Sequence, residues 1–515
     1  MSIAEHRPLS GKTWWLLAVL IAACGGFSVW YASVWGIGVS PDSAEYLAAA
    51  RRLHGIGDLL HLPTQWAPLY PVLLKVASFF GPDIFVTTRW LQSLLMAANL
   101  LAALWVLQTV TASYRWQTLV CGVLLLCNFK LWQIAFFAWS EAPFVLCQLL
   151  SALCLLRFWQ QGGLRWLLWC ALFAALAQLF RYAGVAWIGT VCLLLLYRSR
   201  TEWRAGLRHG VLFGALALLP FILWLLINKW VRDETTNRTL VMHLITPGDL
   251  RELMLQLGSW VGGSAGVLGG AAGLLLTALL VRQALLHKQA ASSMQTALMH
   301  TGVAYALCYT LFILLSKSFF DAYIPFDDRI FVPAWLFASL ALLTLLQWLW
   351  DLAGRLERRA VALLCLLLAA TSLAQLLPDL LVTRLQGQGY FSAYMAQVSD
   401  VNAVPALVSR TVYTNAPDFL RMMTDYTVQD YPRKYAPTTK LANPLYQQAL
   451  DTMQQQVQAE TALLVHYQGF EWRAYFPQRD ELLKLGYVPV MEGNGVEVLS
   501  YPTSPSATQT PATNQ

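Results

Sequence analysis

Long apolar runs, each near the ~20 residues that a helix needs to cross a bilayer, recur along most of this 515-residue chain. Hydrophobic residues make up 57% of the chain and charged residues only 12%, whereas a soluble domain carries about 25% charged residues. A chain with so little charge cannot cover several globular cores with polar surface. The sequence therefore predicts a lipid bilayer as its surroundings and excludes a cytosolic enzyme, a disordered scaffold and a nucleic-acid-binding protein.

The apolar runs predict about eleven transmembrane helices, and the pair on either side of Arg181 can also be interpreted as one long bent helix. The first run lacks a small-residue cleavage site, so we expect it to remain as a signal anchor. The approximate helix cores are 14–34, 85–111, 117–137, 143–160, 164–180, 183–197, 210–230, 260–284, 299–316, 329–350 and 360–378.

The distribution of charge predicts the orientation of the chain. If the N-terminus lies in the cytoplasm, the loops on that side carry fourteen Lys and Arg residues against four Asp and Glu residues. Such an excess is typical of cytoplasmic loops. An odd number of spans then places everything after residue 379 outside the cytoplasm. We therefore expect a multi-pass protein of the cell (inner) membrane with a periplasmic C-terminal domain.

Residues 380–501 predict a small α/β domain outside the membrane, after a membrane domain of residues 1–379. Strands are expected at 409–415, 461–467, 487–490 and 496–501, with a hairpin turn at Gly493-Asn-Gly495. Helices are expected at 418–426 and 444–458. The tail 502–515 is rich in Pro, Ser and Thr and is expected to be disordered.

The first outer loop contains a group of polar residues that suits a functional site. In the run Val39-Ser-Pro-Asp42-Ser-Ala-Glu45-Tyr46, Ser40 suits a helix cap and Pro41 suits the first helical turn. Asp42, Glu45 and Tyr46 then share one helix face, because residues three and four apart are neighbours on a helix. A second short helix is expected from Gln65-Trp66-Ala-Pro-Leu-Tyr70-Pro onwards. Both helices are expected to lie at the membrane interface.

Other charged residues occur at the heads of later spans, on the same predicted side. They are Glu141 in Ser140-Glu-Ala-Pro143, Arg181-Tyr182 between two apolar runs, and Arg329 in Asp327-Asp-Arg-Ile-Phe-Val-Pro333. An ionisable group at membrane depth is costly and therefore suggests function. A helix-start acid at the water interface, or an interfacial anchoring arginine, is the structural alternative for each position.

These motifs, in this order and on this side, resemble the GT-C superfamily of integral membrane glycosyltransferases. The similarity is to the group that contains protein O-mannosyltransferases and the lipid A aminoarabinose transferase, also described as bacterial family 39-like. It extends over residues 1–380 by architecture, and the Tyr413-Thr-Asn-Ala-Pro417 stretch resembles the C-terminal domains of bacterial members. The resemblance implies a cell-envelope enzyme that moves a hexosyl or pentosyl unit from a polyprenyl-phosphate sugar to an extracytoplasmic hydroxyl of a protein, lipid or glycan.

The resemblance also implies roles for individual residues. Asp42 is expected to be the general base, with Glu141 and Glu45 as further acids of the site. Donor phosphate binding is expected from Arg329, Arg181, Lys317 and Arg89. The first loop is expected to form the donor and acceptor pocket with Tyr46, His61, Trp66 and Tyr70.

Cations suit this chemistry, because the leaving group is a phosphate anion that needs neutralisation rather than a proton. The sequence names no certain cofactor. Many relatives carry adjacent acids in the first loop, whereas Ser43 follows Asp42 here, and a divalent cation is left open. Two other classes also remain open. A transporter or lipid flippase would have the same spans and intramembrane charges, and a non-catalytic membrane scaffold would display the C-terminal domain.

Overall fold

The computed structural model describes residues 9–111, 115–236, 238–262, 292–352, 354–399 and 410–501. The chain divides into two compact units. The membrane unit comprises Met1–Ile37 and Ala49–Gly387, and the sheet unit comprises Gly38–Ala48 and Gln388–Gln515. A short piece of the first loop therefore belongs to the same unit as the C-terminal region.

Helices account for most of the described residues before position 388. In chain order they are α1 (Gly11–Ala32), α2 (Pro41–Arg52), α3 (Leu69–Ser78), α4 (Ile84–Thr109), α5 (Trp116–Leu126), α6 (Phe129–Phe136), α7 (Glu141–Gln161), α8 (Leu164–Phe180), α9 (Gly184–Arg198), α10 (Trp203–Arg232), α11 (Pro247–Gly262), α12 (Ser293–Phe319), α13 (Asp328–Leu352) and α14 (Arg355–Gln386). A 3₁₀ helix at Ile56–His61 lies between α2 and α3.

Seven helices among the described residues are long and apolar enough to cross a membrane, or eight if the bent pair α5–α6 is one span. Helices α3, α8 and α9 are apolar but shorter. This helical membrane architecture, followed by a small mixed sheet, confirms the predicted fold class. Most of the predicted span 260–284 lies outside the described residues, whereas each of the other predicted spans coincides with a helix or with the bent pair.

Two of the predicted apolar runs are interrupted. The run 117–137 bends by 56° between α5 and α6, where the side chain of Asn128 accepts a hydrogen bond from the Lys130 amide at 3.0 Å and caps α6. The run 164–197 is two helices, α8 and α9, rather than one bent helix, because the chain leaves helical geometry at Arg181. In both places the interruption brings a basic residue to a helix end.

Helix packing in the membrane unit depends on small residues at close contacts. A Cβ atom on Gly302 of α12 would lie 2.2 Å from the carbonyl oxygen of Phe337 in α13. A Cβ atom on Gly26 of α1 would lie 2.7 Å from the carbonyl oxygen of Ser93 in α4. Backbones approach this closely in membranes only where side chains are small, and dispersion contacts then stabilise the helix pairs.

The sheet unit is built around five strands in the order β2-β1-β3-β5-β4. Strand β1 pairs in parallel with β2 and β3, while β5 pairs antiparallel with β3 and β4. Four short helices accompany the sheet. The elements are α15 (Ala393–Val398), β1 (Thr411–Thr414), α16 (Pro417–Met423), β2 (Val428–Asp430), α17 (Tyr446–Gln458), β3 (Ala462–Tyr467), α18 (Arg479–Lys484), β4 (Val488–Gly493) and β5 (Val496–Ser500).

The apolar face of α17 explains how this sheet is stabilised. Leu450, Met453 and Val457 are buried at helical spacing and belong to one core with Leu464 of β3 and Leu499 of β5. The predicted hairpin turn is confirmed, since Asn494 and Gly495 both have positive φ angles, 37° and 73°. Strand β2 and helices α15 and α18 were not predicted, because they are short and carry little periodic pattern. The predicted disordered tail 502–515 lies outside the described residues.

Helix α14 continues to residue 386, beyond the predicted domain boundary at residue 379. The first-loop helices α2 and α3 are present where the sequence predicts them. Their location at the membrane interface stays a prediction.

Candidate functional site

The membrane unit gathers three charged residues that the sequence places more than forty residues apart from one another. Glu141 is the first residue of α7, Arg181 directly follows α8, and Arg329 is the second residue of α13. An acid at a helix N-terminus and a base at a helix C-terminus are both favoured by the helix dipole. Glu141 and Arg181 fit this rule, whereas Arg329 lies at an N-terminus, where its own helix does not favour it.

One oxygen of the Glu141 carboxylate binds both arginines. Arg181 Nη1 lies 2.6 Å from Glu141 Oε1, and Arg329 Nε lies 2.5 Å from the same oxygen. Glu141 is 1% exposed, while the arginine side chains are 17% and 15% exposed. Two positive charges on one negative charge leave an excess of positive charge at these three helix ends. We call these residues the Glu141 cluster.

Aromatic and hydroxyl groups complete the surroundings of the Glu141 cluster. The guanidinium carbon of Arg329 lies 4.3 Å from the ring centroid of Trp139, which is a favourable cation–π distance. Trp139 in turn stacks on Phe137 with ring centroids 4.2 Å apart. Arg181 Nη1 also donates to the hydroxyl of Ser140 at 3.3 Å. The arginine side chains are thus oriented by several contacts.

The second oxygen of Glu141, Oε2, is buried and accepts no hydrogen bond from the described residues. Buried carboxylate oxygens normally have partners, because desolvating an unpaired charged acceptor is costly. This oxygen can accept a hydrogen bond from a hydroxyl group of a bound molecule.

Two further acids precede or begin α13 beside Arg329. Asp327 accepts a hydrogen bond from the Ile330 amide at 2.9 Å. Burial raises the pKa of Asp327 above its usual value, and this effect outweighs the opposing contributions of that hydrogen bond and of Arg329. A carboxyl group with a raised pKa keeps its proton to higher pH. Asp327 therefore cancels less of the positive charge of the arginines than an ordinary aspartate does.

Asp328 is neutralised by a residue that the sequence analysis did not single out. Lys130, near the start of α6, forms an ion pair with the Asp328 carboxylate and donates to Ser259 Oγ at 2.9 Å. Gln256 donates to the same Asp328 oxygen at 2.6 Å. The only sequence signal for Lys130 is that it interrupts the apolar run 117–137 directly after Asn128. Because its partner lies 198 residues away, the pairing is decided by tertiary structure.

The sheet unit contains the first turns of α2 and, with them, the predicted base. Asp42 and Glu45 are both half-buried, and Tyr46 is buried. The predicted cap is confirmed, since the Ser40 carbonyl accepts from the Ala44 amide at 2.9 Å and the Ser40 hydroxyl accepts from the Ser43 amide. Glu45 forms an ion pair with Arg421 of α16 at 3.1 Å. Arg421 is the second functional candidate that the sequence analysis missed.

Lys317 and Arg89, predicted to bind phosphate, have other partners among the described residues. Lys317 donates to the carbonyls of Ala322 and Ile324 at 3.2 and 2.7 Å, and it pairs with Asp249. Arg89 donates to the Ser33 hydroxyl at 3.1 Å and to the Trp30 carbonyl, which links α4 to α1. Neither side chain bonds to the Glu141 cluster in the part of the chain that is described, and their phosphate roles stay predictions.

The residues predicted to line a pocket have different environments. Tyr70 is buried, and its hydroxyl accepts from Gln92 at 2.8 Å. The Trp66 carbonyl accepts from the hydroxyl of Tyr182 at 2.8 Å, so the loop before α3 is held at the break after α8. His61 is exposed at the end of the 3₁₀ helix.

A metal site does not fit the residues that are described. Across those residues, no three His, Cys, Asp or Glu side chains come together. Near the predicted base, Glu45 is already paired with Arg421. No step below is therefore derived through a metal ion.

A multi-pass helical membrane protein with charged helix ends gathered in its membrane unit, and with a small mixed sheet after the last span, has the architecture of the GT-C class. Comparison with solved structures confirms the predicted resemblance at the level of the fold. Neither a protein-family model nor a curated protein sequence matches the chain.

The similar structures are two GT-C membrane glycosyltransferases. ArnT from Cupriavidus metallidurans, bound to undecaprenyl phosphate, has a TM-score of 0.53 and 14% identity, and the match covers 96% of this chain and 100% of that one. The Archaeoglobus fulgidus oligosaccharyltransferase in complex with Zn and sulfate has a TM-score of 0.52 and 11% identity over 91% of this chain and 71% of its own. A structure of the A. fulgidus oligosaccharyltransferase AglB with an inhibitory peptide and a dolichol-phosphate has a TM-score of 0.52 and 10% identity over 93% and 73%.

Replacing the shared carboxylate tests the energetics of the cluster. We expect Glu141→Gln to lower the free energy of unfolding by about 3–5 kcal/mol, because it leaves two largely buried guanidinium groups without a counter-charge. The measurement is thermal or denaturant unfolding of the purified protein in lipid nanodiscs.

Two variants control this measurement. Glu141→Gln combined with Arg181→Gln should recover part of the loss, because it removes one of the uncompensated charges. Glu202→Gln changes an exposed glutamate and should leave stability within about 0.5 kcal/mol of the wild type. Equal stability of Glu141→Gln and the wild type would contradict the assignment of Glu141 as the counter-charge of both arginines.

Proposed function

We propose that this protein is a membrane glycosyltransferase that moves a sugar from a polyprenyl-phosphate donor to a hydroxyl group outside the cytoplasm. The observation that carries the proposal is the Glu141 cluster, in which two arginines share one buried carboxylate oxygen and leave an excess of positive charge. Its setting supports the proposal, because the fold is that of ArnT, whose structure holds undecaprenyl phosphate, and of AglB, whose structure holds a dolichol-phosphate.

The proposed role of the arginines is to bind the donor phosphate. A phosphodiester carries one negative charge at neutral pH, which matches the excess charge of the cluster. Guanidinium groups bind phosphate oxygens through parallel hydrogen bonds, and Arg329 and Arg181 are held in place by Glu141, Trp139 and Ser140. The same contacts would stabilise the phosphate as its negative charge grows during transfer.

The proposed reaction needs one proton transfer. The oxygen of the acceptor hydroxyl attacks the anomeric carbon, the bond from that carbon to the phosphate oxygen breaks, and its electron pair stays on the phosphate. Asp42 takes the hydroxyl proton, as a general base does. Glu141 Oε2, a buried acceptor, suits a hydrogen bond from a hydroxyl of a bound sugar or acceptor.

A transporter or flippase remains the alternative. It would also use buried charges and long helices, but it would release no polyprenyl phosphate. A panel of undecaprenyl-phosphate hexoses and pentoses, offered to the protein in nanodiscs with acceptor-containing membranes, separates the two classes. Release of undecaprenyl phosphate, followed by mass spectrometry, supports transfer. No release from any donor of the panel contradicts the proposed function.

Loss of the proposed base should abolish most of this release. We expect Asp42→Asn, which is nearly isosteric, to lower the turnover number by about 10² or more, the scale of a general base. Membrane insertion and unfolding temperature should not change. Asp58→Asn is a matched control in the same loop, because Asp58 accepts only from the backbone amides of His54 and Gly55 among the described residues. Near wild-type turnover of Asp42→Asn at saturating donor would show that Asp42 is not the base.

The geometry of Arg329 leads to a separate prediction. Arg329→Lys keeps one positive charge but loses the planar fork that binds an oxyanion through two parallel bonds. We expect transfer to be impaired by about 1–3 kcal/mol in activation free energy, the scale of a charged hydrogen bond. Initial rates and donor affinity are measured together. Arg115→Lys, which keeps a charge opposite Asp351, should behave like the wild type; unchanged rate and affinity in Arg329→Lys would exclude the phosphate role.

The proposed reaction also requires an orientation. We infer that the N-terminus is cytoplasmic and that the region after residue 387 lies outside, on the basis of the positive-inside rule. A reporter that is active only outside the cytoplasm should be active when fused after Tyr501 and silent when fused after Arg204. The reverse pattern would overturn the proposed orientation.

A further inference from the structure

The predicted base lies between two attachments to the C-terminal region, and both are within the sheet unit. Three residues before Asp42, Val39 forms a parallel bridge with Gly389, and its carbonyl accepts from the Tyr390 amide at 2.8 Å. Three residues after Asp42, the Glu45 carboxylate binds Arg421 at 3.1 Å. The segment that carries Asp42 is therefore held on both sides by residues nearly 350 or more positions away in sequence.

Helix α16 provides the anchor for both attachments. Its first turn contains Asp418, which accepts from the Tyr390 hydroxyl at 2.7 Å and from Arg473 at 2.6 Å. Its last turn contains Arg421. Asp418, Tyr390 and Arg473 are all buried, and burial of a hydrogen-bonded charged pair makes its geometry strict.

The stretch Tyr413-Thr-Asn-Ala-Pro417 explains how α16 itself is fixed. Asn415 exchanges two hydrogen bonds with the backbone of Tyr467 in β3, both at 2.9 Å. Pro417 begins the helix, as proline commonly does at a first helical position. Helix α16 thus starts from the central strands of the sheet.

Arg421 bridges two carboxylates rather than one. Its Nη1 binds Glu45, and its Nη2 binds Asp430 of β2 at 2.5 Å. All three side chains are between 21% and 23% exposed. Burial raises the pKa of Asp430, but the charges of Arg421 and Arg433 outweigh this effect and hold the pKa below its usual value. Asp430 therefore remains ionised and restrains the guanidinium that holds Glu45.

We propose that Arg421 is a positioning residue that acts on Asp42 through Glu45. Glu45 lies one helical turn after Asp42 on the same face of α2, so a restraint on Glu45 fixes the rotation of the helix start that carries Asp42. Glu45, expected from the sequence as a further acid of the reaction, acts through this ion pair. This inference rests on the proposed function for its effect on turnover.

The first arm of the test measures turnover in nanodiscs with the undecaprenyl-phosphate sugar on which the wild type is active. Arg421→Ala should lower kcat about 10–100-fold, the scale of a small misplacement of a catalytic group, with little change in donor KM. Arg421→Lys should lose less, because lysine keeps the charge but can bind only one of the two carboxylates well. Arg410→Ala is the control, since Arg410 pairs with the exposed Glu460 in the same unit, and it should retain wild-type kcat.

The second arm asks whether the effect passes through Asp42. In an Asp42→Asn background, Arg421→Ala should cause no further loss, because there is then no base to misplace. A full further loss of 10-fold or more in this background would overturn the positioning role, as would wild-type kcat in Arg421→Ala.

The third arm does not depend on transfer. Hydrogen exchange of the backbone amides of residues 41–48 should be faster in Arg421→Ala than in the wild type and unchanged in Arg410→Ala. Unchanged exchange in Arg421→Ala would overturn the inference. If the wild type releases no polyprenyl phosphate, the proposed function fails, and this arm still decides whether Arg421 holds the helix start.

Discussion

A buried carboxylate that carries two arginines is the interaction on which the membrane unit depends most. In an apolar environment an unpaired charge costs several kcal/mol, so each charged group must find a partner or water. Glu141, Arg181 and Arg329 solve this jointly at the ends of α7, α8 and α13. Because a single oxygen serves both arginines, these three helix ends must meet closely. The excess of positive charge that remains is the feature that suits a phosphate.

The same constraint organises the neighbouring helix ends. Asp328 is paired with Lys130 at the break between α5 and α6, and Lys317 satisfies its ammonium group with two carbonyls and Asp249. Each break in an apolar run therefore coincides with a charge that needs a partner. Elsewhere the membrane unit relies on dispersion contacts, for which Gly302 and Gly26 allow backbones to approach.

The sheet unit follows a different rule, since its stability comes from an apolar core between α17 and the sheet together with buried polar links. One of its pieces is not contiguous in sequence. Residues 38–48 belong to it because Val39 pairs with the backbone near Gly389 and Glu45 pairs with Arg421. The predicted base is consequently held by the C-terminal region rather than by the helix that precedes it. This gives the C-terminal region a mechanical connection to the proposed reaction.

Residue types and their spacing were sufficient to predict the fold class, most helix positions, four of the strands and the Ser40 cap of α2, because these depend on local periodicity and composition. Local patterns also marked Glu141, Arg181 and Arg329 as unusual, since a charge at the head of an apolar run is visible in the sequence. Their meeting at one oxygen was not predictable, nor were the pairs Lys130–Asp328 and Arg421–Glu45. Partners 198 and 376 residues apart are chosen by how helices and strands pack, and only the tertiary structure decides that packing.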